Sequence, residues 1–302
     1  MLALIINPTS GGGRSLRALP GVIRTLAARG VEPSVQITNS LKHATELTRT
    51  AADQGLMPVA FGGDGLVAAV ASALTSTPVT MGVLPGGRAN DFARGLGLPP
   101  HPEQACAVLF DGTPRRIDLG ISPARPFIGI ATCGLDSLAN QIANATRLPL
   151  GRMIYAYGGL RALARWRPAF FTVTVDGSVQ SFSGYTVAVA NAPQHGGGMR
   201  LAPDASLNDG KLDVVMVAAM PKLALLAAMP HVFSGTHVGL AAVTVLRGRE
   251  VFIDADRPLN VFADGESLGG LPMRINVASA ALSVMVPAQQ DAELMHTTPE
   301  AA

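Results

Sequence analysis

Three times in the first hundred residues, a short apolar run ends in a glycine turn that leads into helical spacing. Leu2–Ile6 passes through Asn7 and Pro8 to Gly11-Gly12-Gly13, with helical spacing near 15–28. Residues 58–61 run directly into Gly62-Gly63-Asp64-Gly65 and an Ala/Val helix to Leu74, and 79–84 run into Pro85-Gly86-Gly87 and a short helix over 90–96. A further strand and helix, 35–38 and 44–54, lie between the first two. This alternation restricts the chain to a parallel sheet covered by helices, because parallel strands need long crossover connections and helices are what fill them. Ligands of such sheets sit at the carboxyl ends of the strands. All three glycine turns fall at that end.

After about residue 118 the pattern changes. Short β-like runs at 127–132, 170–176, 186–190, 212–217, 251–254, 259–262, 273–277 and 281–286 are separated by Gly and Pro turns, which suggests a sandwich. Two helical patches interrupt them, at 136–145 and 152–166. The expected division is an α/β domain over 1–118, a β-sandwich domain over 119–290 and a flexible tail over 291–302, where apolar periodicity is lost. A length of 302 residues accommodates two domains with substantial cores.

With 48% hydrophobic residues and a net charge of +2, the chain reads as globular, without the global positive field that nucleic acid attracts. Cys106 and Cys133 are too few for a disulfide framework or a zinc site, which points to a reducing cytosol. The opening MLALIINPTS lacks a basic leader and reads as a buried first strand rather than a targeting peptide. Residues 212–229 are greasy but contain Asp213, Pro221 and Lys222; they read as a strand, a turn and a buried helix, not a membrane span.

A glycine turn between strand and helix exposes backbone N–H groups at the positive end of the helix dipole, an arrangement suited to phosphate. One such turn fits any α/β connection equally well, and GxxxxGK[ST] does not occur. The set is more specific. Asn7-Pro8-Thr9-Ser10-Gly11 resembles the NPxSG opening of the diacylglycerol kinase-type catalytic domain. Gly62-Gly63-Asp64-Gly65 resembles its GGDG, and Pro85-Gly86-Gly87 with Ala89-Asn90-Asp91-Phe92-Ala93-Arg94 resembles its PxGTxNDFAR. Ile117-Asp118-Leu119-Gly120 is similar to the family's domain junction. Pro203-Asp204-Ala205 with Asn208-Asp209-Gly210-Lys211-Leu212 is similar to its PxAxxxDGxL turn, and Asp264-Gly265-Glu266 to its DGE. These matches are collinear from residue 7 to about residue 287.

The resemblance implies a Rossmann-like α/β nucleotide-binding domain followed by a β-sandwich, with the active site in the interdomain cleft. It implies an ATP-dependent lipid kinase using ATP and Mg²⁺, with a diacylglycerol-like or sphingoid acceptor at the membrane surface. The protein would be cytoplasmic and peripherally membrane-associated; no nucleic acid is expected, and a homodimer is admitted. Two other readings stand beside it: a catalytically attenuated lipid- or nucleotide-binding relative, and an NAD kinase-like enzyme, since GGDG turns occur there too.

Asn7, Ser10, Gly11 and Thr38 are implied to lie against ATP, and Gly62, Gly63, Asp64 and Gly65 to wrap its phosphates. Gly87, Arg88, Asn90, Asp91 and Arg94 complete the nucleotide set. Asp64, Asn90 and Asp91 also read as helix caps, and Arg94, on the same helical face as Asn90 and Asp91, would form with Asp118 either an ion-pair network that holds phosphates and carboxylates or a merely structural salt bridge. Glu266 is implied as general base, with Asp264 the second carboxylate and Asp64 near the metal or the basic network. Asp209 would hold a structural Mg²⁺ with the carbonyls of Ser206 and Lys211, although Asn-Asp-Gly is also a common β-turn. Arg88 stands where the family has threonine, Leu66 replaces a threonine after GGDG, and Ala69 replaces a glutamate. Trp166, Tyr155 and Tyr157 lie among Arg147, Arg152, Arg161, Arg165 and Arg167, with no acidic residue over 137–175. This reads as an ordinary solvated helix face or as a lipid headgroup patch.

Overall fold

The computed structural model describes residues 1–146 and 153–288. Arg147, Arg152 and the tail over 291–302 lie outside the described residues, as does the side chain of Tyr155. The chain divides into two compact units, Met1–Ile117 with Ala280 onward, and Asp118–Ser279.

The first unit runs β1 (Leu2–Ile6), α1 (Arg14–Ala28), β2 (Ser34–Ile37), α2 (Leu41–Asp53), β3 (Met57–Gly62), α3 (Asp64–Ala73) and β4 (Thr80–Pro85). Short helices α4 (Asp91–Gly95), α5 (Pro102–Ala105) and α6 (Val108–Asp111) follow. Its strands pair in parallel in the order β2-β1-β3-β4. Every residue of β1 is buried, as expected when helices cover both faces of a parallel sheet. Leu4, Ile6, Val22, Leu26, Phe61 and Leu84 form the core. Strand register fixes where the glycine turns emerge. Ile6 pairs with Phe61, Phe61 with Leu84, and Gly62 with Pro85. The three strands therefore end level, and their turns leave the sheet side by side.

The second unit contains β5 (Thr113–Ile121, which begins in the first unit), β6 (Pro126–Phe127), β7 (Ile130–Gly134), α7 (Leu135–Ala145), α8 (Met153–Arg165), β8 (Ala169–Val175), β9 (Ser178–Ala190) and β10 (Leu212–Ala218). After α9 (Lys222–Ser234) come β11 (Val243–Gly248), β12 (Glu250–Ala255), β13 (Asn260–Ala263), β14 (Glu266–Gly270) and β15 (Met273–Val286, which ends in the first unit). β9 serves two neighbourhoods: its first half pairs with β8, its second with β7 and β10. Gly184 is the corner, where a Cβ would collide with the Val217 carbonyl and the Phe182 ring. Phe171, Val173, Val187, Val214, Ile253 and Ile275 pack at the centre.

Two differences from the sequence reading have clear physical causes. Residues 281–286 read as one more sandwich strand, yet Ser283 and Val284 pair in parallel with Thr80 and Met81 of β4. The burial pattern of β15 switches from alternating to continuous after Ala280, which sits at φ 50° between its pairing with β12 and its pairing with β4. The helix after Pro221 read as buried because it is apolar. In α9 no residue is buried, and Leu223 is 81% exposed. Periodicity reports which faces are apolar; it does not report whether a partner covers them.

Candidate active site

The three glycine turns of the first unit are locked onto one another by main-chain and side-chain hydrogen bonds. Gly86 N–H donates to the Gly62 carbonyl at 2.7 Å, and Gly63 N–H donates to Ser10 Oγ at 3.3 Å. Gly87 N–H donates to Asn90 Oδ1 at 2.8 Å, and Arg14 Nη1 donates to the Gly87 carbonyl at 3.0 Å. A Cβ at Gly63 would sit 3.1 Å from Gly87 Cα, and one at Gly87 would strike Gly63 Cα outright. Gly11 (φ 60°) both needs the left-handed region and would place a Cβ 2.6 Å from the Gly86 carbonyl. Ser10, Gly11, Gly62, Gly63, Gly87 and Asn90 thus come together as one cluster.

The polar residues around this cluster have specific duties. Asp64 opens α3, but its Oδ1 accepts the Phe92 N–H at 3.0 Å, so it tethers α4 to the second turn instead of capping its own helix. Gly65 follows it in the first turn of α3. Burial raises the pKa of Asp64; the Phe92 N–H opposes the shift and neighbouring Asp91 adds to it. Asn90 occupies the cap position of α4 in the left-handed region (φ 53°), and its side chain reaches back to Gly87. Asp91 pairs with Arg94 at 2.6 Å, and Arg94 Nη2 donates to the Ala89 carbonyl at 2.8 Å. Asn7 Oδ1 accepts from Thr9 N–H and Thr9 Oγ1, forming a local turn. Thr38 is buried beside the end of β1, its N–H on the Ile6 carbonyl and its hydroxyl donating to the Ser40 carbonyl at 2.6 Å. That hydroxyl is committed to the turn before α2.

A cleft of about 720 Å³ opens in this unit, lined by Arg14, Pro85, Arg88, Asn90, Arg94 and Glu103 among others. Arg14 and Arg94 are anchored to carbonyls. Arg88 is exposed and makes no hydrogen bond or ion pair with a described residue. The cleft therefore presents one uncommitted guanidinium beside two positioned ones.

In the second unit, Asp264 and Glu266 sit in different environments. Asp264 sits at φ 51° with its side chain 5% accessible. Its two carboxylate oxygens accept the N–H groups of Ile128 and Gly129, each at 3.0 Å, and Arg125 lies at 3.9 Å. Glu266 begins β14, paired with Ala263 through the backbone ladder; it is exposed, and its side chain makes no hydrogen bond or ion pair with a described residue. Asp118 is buried, and its Oδ2 accepts the Gly210 N–H at 2.7 Å, bracing the turn that carries Asp209. Asp209 Oδ1 accepts the Lys211 N–H at 3.0 Å, and its Oδ2 lies 3.7 Å from Arg247, whose Nε holds Asp213 at 2.5 Å. Ser206 Oγ donates to Asn208. Among the described residues no group of three His, Cys, Asp or Glu side chains is arranged to hold a metal. The turn nevertheless offers one carboxylate and main-chain carbonyls, hard oxygen donors of the kind Mg²⁺ takes, with Arg247 as the cation already facing that carboxylate.

One half-buried carboxylate escaped the sequence reading, which treated it only as the start of a helix. Asp136 lies in the first turn of α7, and burial raises its pKa while His195 pulls it back. The signal was available: β7 ends at Gly134 (φ 109°) and passes directly into α7, a fourth strand–glycine–helix passage.

The Asp64 shift has a measurable sign. A raised folded pKa means the folded state holds the proton more tightly than the unfolded chain does. The stabilising contribution is complete below the unfolded carboxylate pKa, and it is lost as pH rises through the folded value. Asp64→Asn keeps an oxygen for the Phe92 N–H and removes the buried charge. The variant is expected to melt higher than wild type at pH 7, with the gain vanishing below about pH 4. Equal Tm differences at both pH values would contradict the assignment.

Comparison with known proteins bears on what this cluster serves. The diacylglycerol kinase catalytic domain model matches residues 1–121, and that of the YegS C-terminal NAD kinase beta sandwich-like domain matches residues 129–286. The diacylglycerol kinase of Mycobacterium tuberculosis (strain H37Rv) is 35% identical over 291 residues, 94% of each chain. That of Bacillus subtilis (strain 168) is 29% identical over 300 residues, covering 96% of this chain and 98% of its own. A crystal structure of a diacylglycerol kinase from Bacillus anthracis (strain Sterne) superposes with a TM-score of 0.73 over 94% of this chain and 96% of its own. At 21% identity that likeness speaks for the fold alone. With both halves matched in order and a relative at this identity along nearly its whole length, the chain belongs to the diacylglycerol kinase family of lipid kinases.

Proposed function

We propose that this protein is an ATP-dependent lipid kinase in which the glycine-turn cluster of the first unit binds the nucleotide and Glu266 of the second activates the acceptor. The observation that carries the nucleotide half is the hydrogen-bonded locking of the three turns next to a cleft lined by Arg14, Arg88 and Arg94. Phosphoryl transfer asks little covalent chemistry of a protein; it asks for fixed phosphates and neutralised charge. In the proposed step, an acceptor hydroxyl attacks the γ-phosphorus while its proton passes to the Glu266 carboxylate. The bond from the γ-phosphorus to the β–γ bridging oxygen breaks, and ADP leaves. Asp264 is assigned to positioning: with both oxygens on backbone amides, it shapes the turn that presents Glu266.

The acceptor we assign first is diacylglycerol-like, following the names of the M. tuberculosis and B. subtilis relatives; sphingoid bases and NAD are the comparison arms. No described helix is long and apolar enough to cross a membrane, and we assign the protein to the membrane surface, where such an acceptor is found. Mg²⁺ is assigned with ATP near Asp64, and structurally at Asp209 with the carbonyls of Ser206 and Lys211. What supports the structural ion is the hard-oxygen character of that turn; bound there, it would brace the turn.

Arg88 distinguishes an active enzyme from an attenuated one. Its exposure and lack of a partner favour a phosphate clamp over a side chain that plugs the site.

Purified protein with labelled ATP, Mg²⁺ and dispersed diacylglycerol should yield phosphorylated lipid. Glu266→Gln should lower kcat by roughly a hundredfold at unchanged ATP affinity; an active Glu266→Gln beside an inactive, normally folded Asp264→Asn would reverse the two roles. By calorimetry, Arg88→Ala should bind ATP about tenfold more weakly, whereas tighter binding by Arg88→Thr would show that Arg88 obstructs the site. EDTA should lower the Tm of wild type and leave that of Asp209→Ala unmoved, and an EDTA-insensitive wild type would remove the structural ion.

A further inference from the structure

We propose that α9 and the C-terminal turn of α8 form a surface that docks the protein on a bilayer carrying anionic lipid headgroups. The lipid-kinase reading supplies the reason to visit a bilayer; the surface itself is argued from its own residues. An exposed helix ordinarily shows charge to water and hides one apolar stripe. α9 hides a stripe, with Leu225 and Val232 packed on the sandwich. Yet its outward positions are apolar as well: Leu223 is 81% exposed, Leu226 40%, Met229 41% and Phe233 54%. Leu223, Leu226, Pro230 and Phe233 recur at helical spacing and so share a face. Thirteen residues make about 20 Å of helix, short of the roughly 30 Å hydrocarbon core, so α9 would lie along the bilayer rather than cross it.

The surrounding charge selects the occupant. No Asp or Glu occurs over 214–249 or over 137–175. Lys222 Nζ donates to the Ala164 carbonyl at 3.0 Å, which sets the start of α9 against the end of α8. Arg161, Arg165 and Arg167 are exposed there, with Leu160 and Phe170 exposed among them. Arg257 covers the Trp166 ring at 5.2 Å and donates to the Arg167 carbonyl. Of the carboxylates on this flank, Asp256 is matched by Arg257 at 3.9 Å, and Asp254 on β12 accepts the Ala255 N–H at 2.8 Å. Cations beside exposed leucine and phenylalanine suit a surface whose outer layer is anionic and whose interior is hydrocarbon. A two-fold contact with a second copy would set the same cations against themselves, which is why the bilayer is the occupant assigned.

The test is flotation of the full chain with phosphatidylcholine vesicles, with and without phosphatidylglycerol, at low and high salt. Wild type should bind the anionic vesicles at least about tenfold better than the neutral ones, and salt should weaken that binding. Leu223→Glu with Phe233→Glu should lose about tenfold or more in vesicle affinity at unchanged Tm and ATP affinity. Arg161→Ala with Arg165→Ala provides a second variant, which should bind more weakly and with less dependence on salt. Vesicle binding by the glutamate variant equal to wild type would overturn the proposal. So would a glutamate variant that alters only the sedimenting mass, which would make this face a dimer contact. Activity on a short-chain acceptor in detergent micelles separates the two readings. Loss of vesicle binding in a protein that phosphorylates nothing leaves the surface standing and removes the kinase; micellar activity with no vesicle binding does the opposite.

Discussion

The close approach of Gly63 and Gly87 is the constraint on which the first unit turns. Two main chains meet there with no room for a side-chain carbon on Gly87, and Gly86 donates across the same junction to Gly62. The approach is possible because β3 and β4 end in register, and that register is set by buried pairs such as Phe61 and Leu84. Core packing in the sheet thus determines the position of amides and guanidiniums at its edge. Ser10, Asn90 and Asp64 then act as staples between turns, each bonding a main-chain group of a turn other than its own or closing its own turn. A cluster built this way loses little further freedom when a ligand arrives.

Four carboxylates, buried or half-buried, fall into two contrasting groups. Asp264 and Asp118 are satisfied by backbone N–H groups and so serve geometry. Asp64 and Asp136 are held where burial makes their ionised forms costly. Groups of the second kind are the ones that proteins keep for reasons other than stability.

Much of this was legible in the sequence because it rests on local pattern. The parallel order of β1, β3 and β4 follows from apolar runs ending in glycine, and the sandwich from short strands set between turns. The length of β9 was hidden because its first half, 178–184, is mostly exposed and polar, so no apolar alternation marked it. Leu66 looked like a departure at a catalytic motif, but it is a buried core residue, and a larger apolar side chain there is a packing choice. The surroundings of the two carboxylates were not legible, and only the family resemblance separated them. Asp264 and Glu266 are two residues apart and chemically alike, and only the fold shows that one is consumed by the amides of Ile128 and Gly129. Thr38 likewise reads as a free hydroxyl until its bond to Ser40 is seen.

The return of β15 to the edge of β4 makes the first unit discontinuous in the chain. During synthesis, the residues up to Ile117 emerge first and can collapse around Phe61 and Leu84, but the β4 edge stays open. Its partner, the stretch around Ser283 and Val284, leaves the ribosome only after the whole sandwich has been made. An open edge of a parallel sheet is a template for wrong pairing, and this one must be kept for a closing partner some two hundred residues away in the chain. The first unit is therefore begun first and completed last.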